Sequence, residues 1–460
     1  MLDIFESLLS SSEATAFEAA LASHPRRAIR LRDDFTASSL PFETNPVPWS
    51  EQGFFLVDTE CRPGAYLDYP AGSYYIQDAG SLLPVTLLNP QPGELICDLC
   101  AAPGGKSTAI LERMNGHGVL VANEPIRSRT NVLKYMLGRT GLPNYLTTEL
   151  DPDRMAQEFA GEFDAVLVDA PCSGQMMVSR DKRDSNAWSS RQIEHSAARQ
   201  QRILDAAIKL LRPGGRLVYS TCTFALEENE KQLFRLLSQT QRGLIPLCCD
   251  ALKPWESPVQ TGCYRLWPHR DFCAGGFAGG ILLSDDFEPE MDGGNMRRET
   301  AKKSHVPRNL SRHTRMNKKD RSDPVKELET IGVNSCGQIR SINEEAYFGT
   351  DEVWALYESH RPIAQPPLVM ISSVRRYEPS HTLALARDTW FQPFASISLD
   401  NAQAISFLAG ESLRGLEQSA SQEWTRVMWN GRPIGWGRFS QEQLKNHLPP
   451  WARTTGLKTQ

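Results

Sequence analysis

Between Leu95 and Leu283, short unbroken apolar runs alternate with longer stretches in which apolar positions recur at helical spacing. The runs ELICDLC, GVLVANE, NYLTTEL, FDAVLVDAP and GRLVYSTCTF are rich in Val, Leu and Ile and do not alternate with polar residues. Strands covered on both faces have that pattern. The intervening stretches predict helices over Ser107–Met114, Arg129–Thr140, Arg191–Leu211 and Leu226–Ser238, with Pro213-Gly214-Gly215 as the stop signal after the third. Strand and helix in turn predict βαβ units around a mostly parallel sheet, an α/β domain spanning residues 74–285. Ahead of it, AIRLRDDF reads as one strand of a small α+β cap over residues 1–73.

Past Asp285 the apolar pattern stops. Residues 286–323 read as a basic linker, with ten Lys/Arg and two acids between Arg297 and Arg321. A solvated tether and an arm that tracks phosphates both fit such a run. Residues 324–460 hold six of the ten tryptophans, a density that requires a core, and TRVMWNGRPIGWGRFS reads as strand, turn at Asn430-Gly431, strand. A β-rich module is expected there.

A chain of 460 residues accommodates two to four folding units. Its net charge of −5 argues against a dedicated nucleic-acid coat, so charge matters segment by segment. The first residues carry acids where a secretory signal carries a basic region, and ten cysteines are ordinary usage, so a reducing, cytoplasmic setting is expected. No apolar run approaches the roughly eighteen residues a membrane span needs.

Candidate chemistry concentrates at strand ends. In ICDLCAAPGGKST a buried strand runs into small residues and a helix start, which presents backbone N–H groups to a ligand. GGKST resembles the end of a phosphate-binding P-loop, but the first glycine of that motif would fall on Cys100, and G-x-G-x-x-G is absent. A nucleoside-type ligand over the strand ends remains. Glu124, closing the second strand, suits ribose hydroxyls. DAPCSG and STCTF place Cys172 and Cys222 at two further strand ends, where both can face one ligand. Met176 and Met177 fit a base wedge or plain packing. The other cysteines lack two regular ligand pairs, so no metal site is expected.

LCAAPGGKS, DAPCSG and TCTF, in this order and spacing, resemble the RNA cytosine-C5 methyltransferases of the Sun/NSUN (RsmB/RsmF) type, with YYIQDAGSLLP and RLWPHRDFCAGGF extending the likeness over about residues 74–283. The short N-terminal extension and the C-terminal NGRPIGWGRF, similar to PUA-like RNA-binding modules, look most like the RsmF branch. The resemblance implies a Rossmann-like class I fold and S-adenosyl-L-methionine as cofactor. It puts Cys100, Ala101, Ala102, Pro103, Gly104, Gly105 and Lys106 around the methionine and ribose parts, Glu124 on the ribose, Asp151 at the adenine and Asp169 between cofactor and base. Cys222 matches the nucleophile and Cys172 the product-release cysteine. Lys106 is also a candidate for making the Cys222 site electropositive. After PCSG this chain has QMMVSRDKRD where many members have a Gly-rich, Arg-containing stretch. The implied substrate is 16S ribosomal RNA or the small subunit, with transfer RNA as the alternative, a monomer acting away from membranes. A non-catalytic RNA-binding assembly factor is the rival from another class, against which both cysteines speak.

Overall fold

The computed structural model describes residues 8–177, 185–239, 243–285, 323–331, 334–335, 337–361, 363–372, 377–393, 395–416 and 424–458. The expected basic linker, residues 286–323, lies outside them but for Asp323, as does most of the stretch that follows PCSG.

After α1 (Ser11–Leu21), the N-terminal region forms a four-stranded antiparallel sheet from β1 (Ala28–Leu31), β2 (Thr44–Val47), β3 (Ser50–Leu56) and β4 (Tyr74–Ile76), in the order β2-β3-β1-β4. The expected strand in AIRLRDDF is thus β1. The last strand of this sheet lies just past residue 73, so the cap and the α/β domain share the segment around Tyr74.

The α/β domain contains α2 (Leu83–Leu88), β5 (Leu95–Asp98), α3 (Gly105–Met114), β6 (Val119–Asn123), α4 (Arg127–Gly138), β7 (Tyr145–Thr148), α5 (Pro152–Glu158) and β8 (Phe163–Asp169). It continues through α6 (Ser190–Leu210), β9 (Leu211–Thr221), α7 (Glu230–Leu237), β10 (Leu244–Pro246), β11 (Cys263–Leu266), α8 (Pro268–Asp271) and β12 (Gly276–Leu283). The sheet order is β10-β12-β9-β8-β5-β6-β7, with β11 on β12. Strands β5 to β9 run parallel, whereas β10, β11 and β12 are antiparallel. β6 and β7 are buried at every position and β8 at all but its two polar Asp residues, as uninterrupted apolar runs predict. The chain order reverses between β5 and β8, and crevices of open α/β sheets form at the carboxyl ends beside such a reversal.

The C-terminal region is less uniform than a single β-rich module. A four-stranded antiparallel sheet spans residues 338–379 together with the helix Asp351–Ser359, and a five-stranded sheet follows from Ser396 to Asn446. Its Trp424–Trp429 and Arg432–Ser440 strands close over Asn430 and Gly431, both at positive φ, the conformation a type I′ hairpin demands. Ala364–Gln365 pairs antiparallel with β7 and so joins the edge of the α/β sheet.

Candidate active site

A cavity of about 360 Å³ opens over the carboxyl ends of β5, β8 and β9. Small residues make one wall. β5 ends at Asp98, and after the buried Leu99 the chain passes through Cys100–Gly104 without a bulky side chain before α3 begins. Gly104 sits at φ 118 with an added Cβ only 2.9 Å from Met136, so a side chain is excluded on both counts. Cys100, Ala101, Ala102, Pro103, Gly105 and Lys106 line the cavity.

Opposite stand Asp169 and Cys222, from the ends of β8 and β9. The Lys106 ammonium donates to Asp169 Oδ2 at 2.6 Å, and Ser220 Oγ donates to Oδ1 at 2.8 Å. Burial pulls the Lys106 pKa down, but Asp169 beside it wins and the net shift is upward. Lys106 is therefore a fixed positive charge in the cavity wall.

The two predicted cysteines meet. Cys172 Sγ lies 2.9 Å from Cys222 Sγ, and the Cys222 amide donates to Cys172 Sγ at 3.3 Å. The thiol bond from Cys172 lowers the Cys222 pKa, outweighing burial and the nearby Asp169 charge, with Lys106 pulling the same way as Cys172. The same contact, with burial behind it, pushes Cys172 far up. The contact thus makes Cys222 the easier of the two thiols to ionise.

Two other predicted contacts lie off the cavity wall. Glu124 is buried, with Oε1 accepting from the Ile126 amide at 2.9 Å and Oε2 paired with Arg129 at 3.0 Å. Asp151 is exposed and caps α5, accepting from the Arg154 amide at 3.1 Å. Both methionines line the cavity: Met176 is buried against Phe224 and Trp267, and Met177 is half exposed.

Three residues that the sequence alone does not single out are central here. Asp98, 1% exposed, accepts from Ser107 Oγ through Oδ2 at 2.6 Å, while its buried Oδ1 makes no bond of ordinary geometry. Burial raises this carboxyl to about 7, against the opposing help of Ser107. Glu228, buried just before α7, accepts from the Ser173 amide at 2.9 Å and its hydroxyl at 2.5 Å, and from Gln200 at 2.9 Å, which fixes the loop carrying Cys172. Tyr75, from β4, closes the cavity against Gly105. Asp98 stands inside the quoted motif CDLC, but burial pattern alone does not distinguish it from a structural acid. Glu228 is some fifty residues from its partner, beyond local pattern.

A family model described as 16S rRNA methyltransferase RsmB/F matches residues 85–281. The N-terminal domain of 16S rRNA methyltransferase RsmF matches residues 2–79, and the methyltransferase RsmF PUA domain matches residues 394–454. A ribosomal RNA small subunit methyltransferase F from Aeromonas salmonicida is 30% identical over 443 residues, 92% of this chain and 90% of the relative. The chain belongs to the RsmB/F family. Another small subunit methyltransferase F, from Enterobacter sp., is 36% identical over 300 residues, 62% of each chain. Among solved structures, a methyltransferase homolog protein from Pyrococcus horikoshii superposes with a TM-score of 0.53 at 26% identity, covering 61% of this chain and 93% of the other. The RsmB/F match thus covers the strands that build the cavity, a second match covers the N-terminal region, and a third covers the five-stranded sheet of the C-terminal region but not the four-stranded sheet before it.

Proposed function

We infer that this protein is an S-adenosylmethionine-dependent RNA (cytosine-5-)-methyltransferase acting on 16S ribosomal RNA through a covalent Cys222 adduct. The observation that carries the reading is the pair of sulfurs 2.9 Å apart beside the Lys106–Asp169 ion pair.

The residues present fit the cofactor. The wall from Cys100 to Gly105 leaves room for backbone contact, and buried Asp98 Oδ1 offers an unsatisfied acceptor suited to an ammonium group. Bound there, S-adenosylmethionine supplies an electrophilic methyl group. Glu124 and Asp151 continue the proposed site along the ends of β6 and β7 toward ribose and adenine; for Glu124 to take a ribose hydroxyl, Arg129 must yield one carboxylate oxygen.

Cytosine C5 is a weak nucleophile, and the Cys222 thiolate remedies this by adding to C6: a C6–S bond forms and the C5–C6 π electrons become available at C5. The hydrogen bond from Cys172 is the main stabiliser of the thiolate before attack; Lys106 also favours it, against the opposing charge of Asp169. After C5 is substituted, its proton passes to water, the C5–H electrons restore the C5–C6 double bond and the C6–S bond breaks, returning Cys222 as thiolate. Cys172, kept protonated and in contact with the departing sulfur, is placed to assist that release. The base must be single-stranded or flipped to enter such a cavity.

The two cysteines should fail differently. Cys222→Ala should abolish methyl transfer, while Cys172→Ala should still attack and then stall as a ribonuclease-sensitive protein–RNA band on a denaturing gel. Full turnover by Cys222→Ala, or trapping that survives its loss, would refute the assignment; bisulfite sequencing of 16S and transfer RNA from cells with and without the gene checks the substrate.

A further inference from the structure

The segment Arg127–Arg139, which includes α4, contains four basic residues and no acid, in a chain of net charge −5. One end is anchored at the cofactor loop, where Arg129 donates to the Ala102 carbonyl at 2.8 Å. Its buried face is Thr130, Leu133 and Leu137, which leaves Arg127, Ser128, Asn131 and Val132 exposed and Tyr135 and Arg139 half-buried along the outer side. The helix is on the order of 18 Å long.

At the far end, aromatic groups gather around Arg139. Its guanidinium lies over the rings of Tyr69 at 4.7 Å and Tyr135 at 5.9 Å and donates to the Tyr69 carbonyl at 2.5 Å. Trp451, from the C-terminal region, meets Tyr135 edge-on at 4.7 Å and His381 at 5.4 Å. Its indole is nevertheless 58% exposed, whereas Trp354 and Trp436 in the same region are buried to 1% and 2%. An indole serving only to clasp two domains would be buried as those are. Back toward the cavity, Tyr75 lines the wall.

We propose that α4 and Trp451 form a track for single-stranded RNA leading from the catalytic cavity to the C-terminal module, with one base stacked on Trp451 and phosphates on the basic residues of α4. Cationic grooves with aromatic platforms are the usual means of holding unpaired strands. The track begins beside Ala102, in the small-residue wall of the cavity, and carries charge opposite to the backbone. Not every cation on it is spare: Glu124 holds Arg129, and Lys134 donates to Gln365 at 2.6 Å. Arg127 is accordingly the residue assigned to direct phosphate contact, and Arg139, one of whose donors the Tyr69 carbonyl already takes, adds positive charge beside the aromatic platform. The proposal rests on the RNA-methyltransferase reading above.

The test uses the full chain, a short fluorescein-labelled oligocytidylate, and 16S RNA from cells lacking the gene. Trp451→Ala should weaken oligonucleotide binding about 5- to 100-fold, raise KM for rRNA with kcat unchanged, and leave S-adenosylmethionine affinity as it was. Trp451→Phe should retain most of the binding. Joint Arg127→Gln and Arg139→Gln should flatten the slope of log K against log salt by about 0.7 per lost contact, and this variant decides the matter should Trp451→Ala not fold. Unchanged affinity and salt slope would overturn the track, as would a loss of RNA binding that comes only with lost cofactor binding. Should the unmodified protein fail to methylate rRNA, the functional reading itself falls.

Discussion

Asp98 shows how one buried carboxyl acquires a pH response. In the unfolded chain an aspartate titrates near about 3.9, whereas burial lifts Asp98 to about 7 in the fold. Between those values the folded state keeps a proton that the unfolded state has released. Stability from this site is therefore complete below the unfolded value and is lost as pH rises through about 7. Cofactor binding should run the other way, because an ammonium group prefers the ionised carboxylate. Calorimetry on either side of pH 7 should show S-adenosylmethionine affinity rising with pH in the unmodified protein, and weak, flat binding in Asp98→Asn. An identical pH profile in both proteins would mean that Asp98 only braces Ser107.

At the scale of elements, the reactive pair depends on how two strand ends are held together. β8 and β9 run parallel in register from Ala165↔Arg216 to Asp169↔Ser220, which brings the chain past Cys172 and Cys222 on neighbouring strands. The strands alone do not fix the loops beyond them. Glu228 does so from the turn before α7, bonding to Ser173 and, with Gln200, tying down the Pro171 carbonyl. Glu228→Gln keeps the shape but removes the charge and one acceptor, turning charge-assisted bonds into weaker or unsatisfied ones. A loss of about 1–3 kcal/mol in denaturant unfolding is expected, with turnover reduced and cofactor affinity unchanged. Turnover equal to the unmodified protein would show that the Cys172 loop holds its own position.

For the whole molecule, the C-terminal region is fastened to both other parts. Arg387 pairs with Asp33 of the N-terminal region at 3.0 Å and donates to the Thr140 carbonyl at 3.0 Å, and the Lys458 amide donates to the Ala65 carbonyl at 2.8 Å. Gly141 is a tight point of this seam: its φ is +68, and an added Cβ would sit 2.5 Å from the Leu385 carbonyl oxygen. Gly141→Ala should cost about 1–3 kcal/mol and expose the C-terminal region to limited proteolysis before the α/β domain melts. An unaltered digestion pattern and melting curve would show that the loop relaxes at no cost.

The sequence by itself determined the α/β core, because strands covered on both faces must be apolar throughout and their ends must carry whatever chemistry the fold has. ICDLC, FDAVLVDAP and GRLVYSTCTF therefore disclosed both the sheet and the cavity wall, and Asn430-Gly431 disclosed its hairpin through the positive φ that only such residues adopt readily. The antiparallel extension through β10, β11 and β12 was less legible, since the glycines of β12 interrupt its apolar pattern. Tertiary structure alone decided which distant residues meet. That Cys172 touches Cys222, that Glu228 reaches Ser173 and that Trp451 stands beside Tyr135 depends on chain paths of many residues. Local periodicity carries no record of such encounters, because they are set by sheet order and by the packing of one region on another.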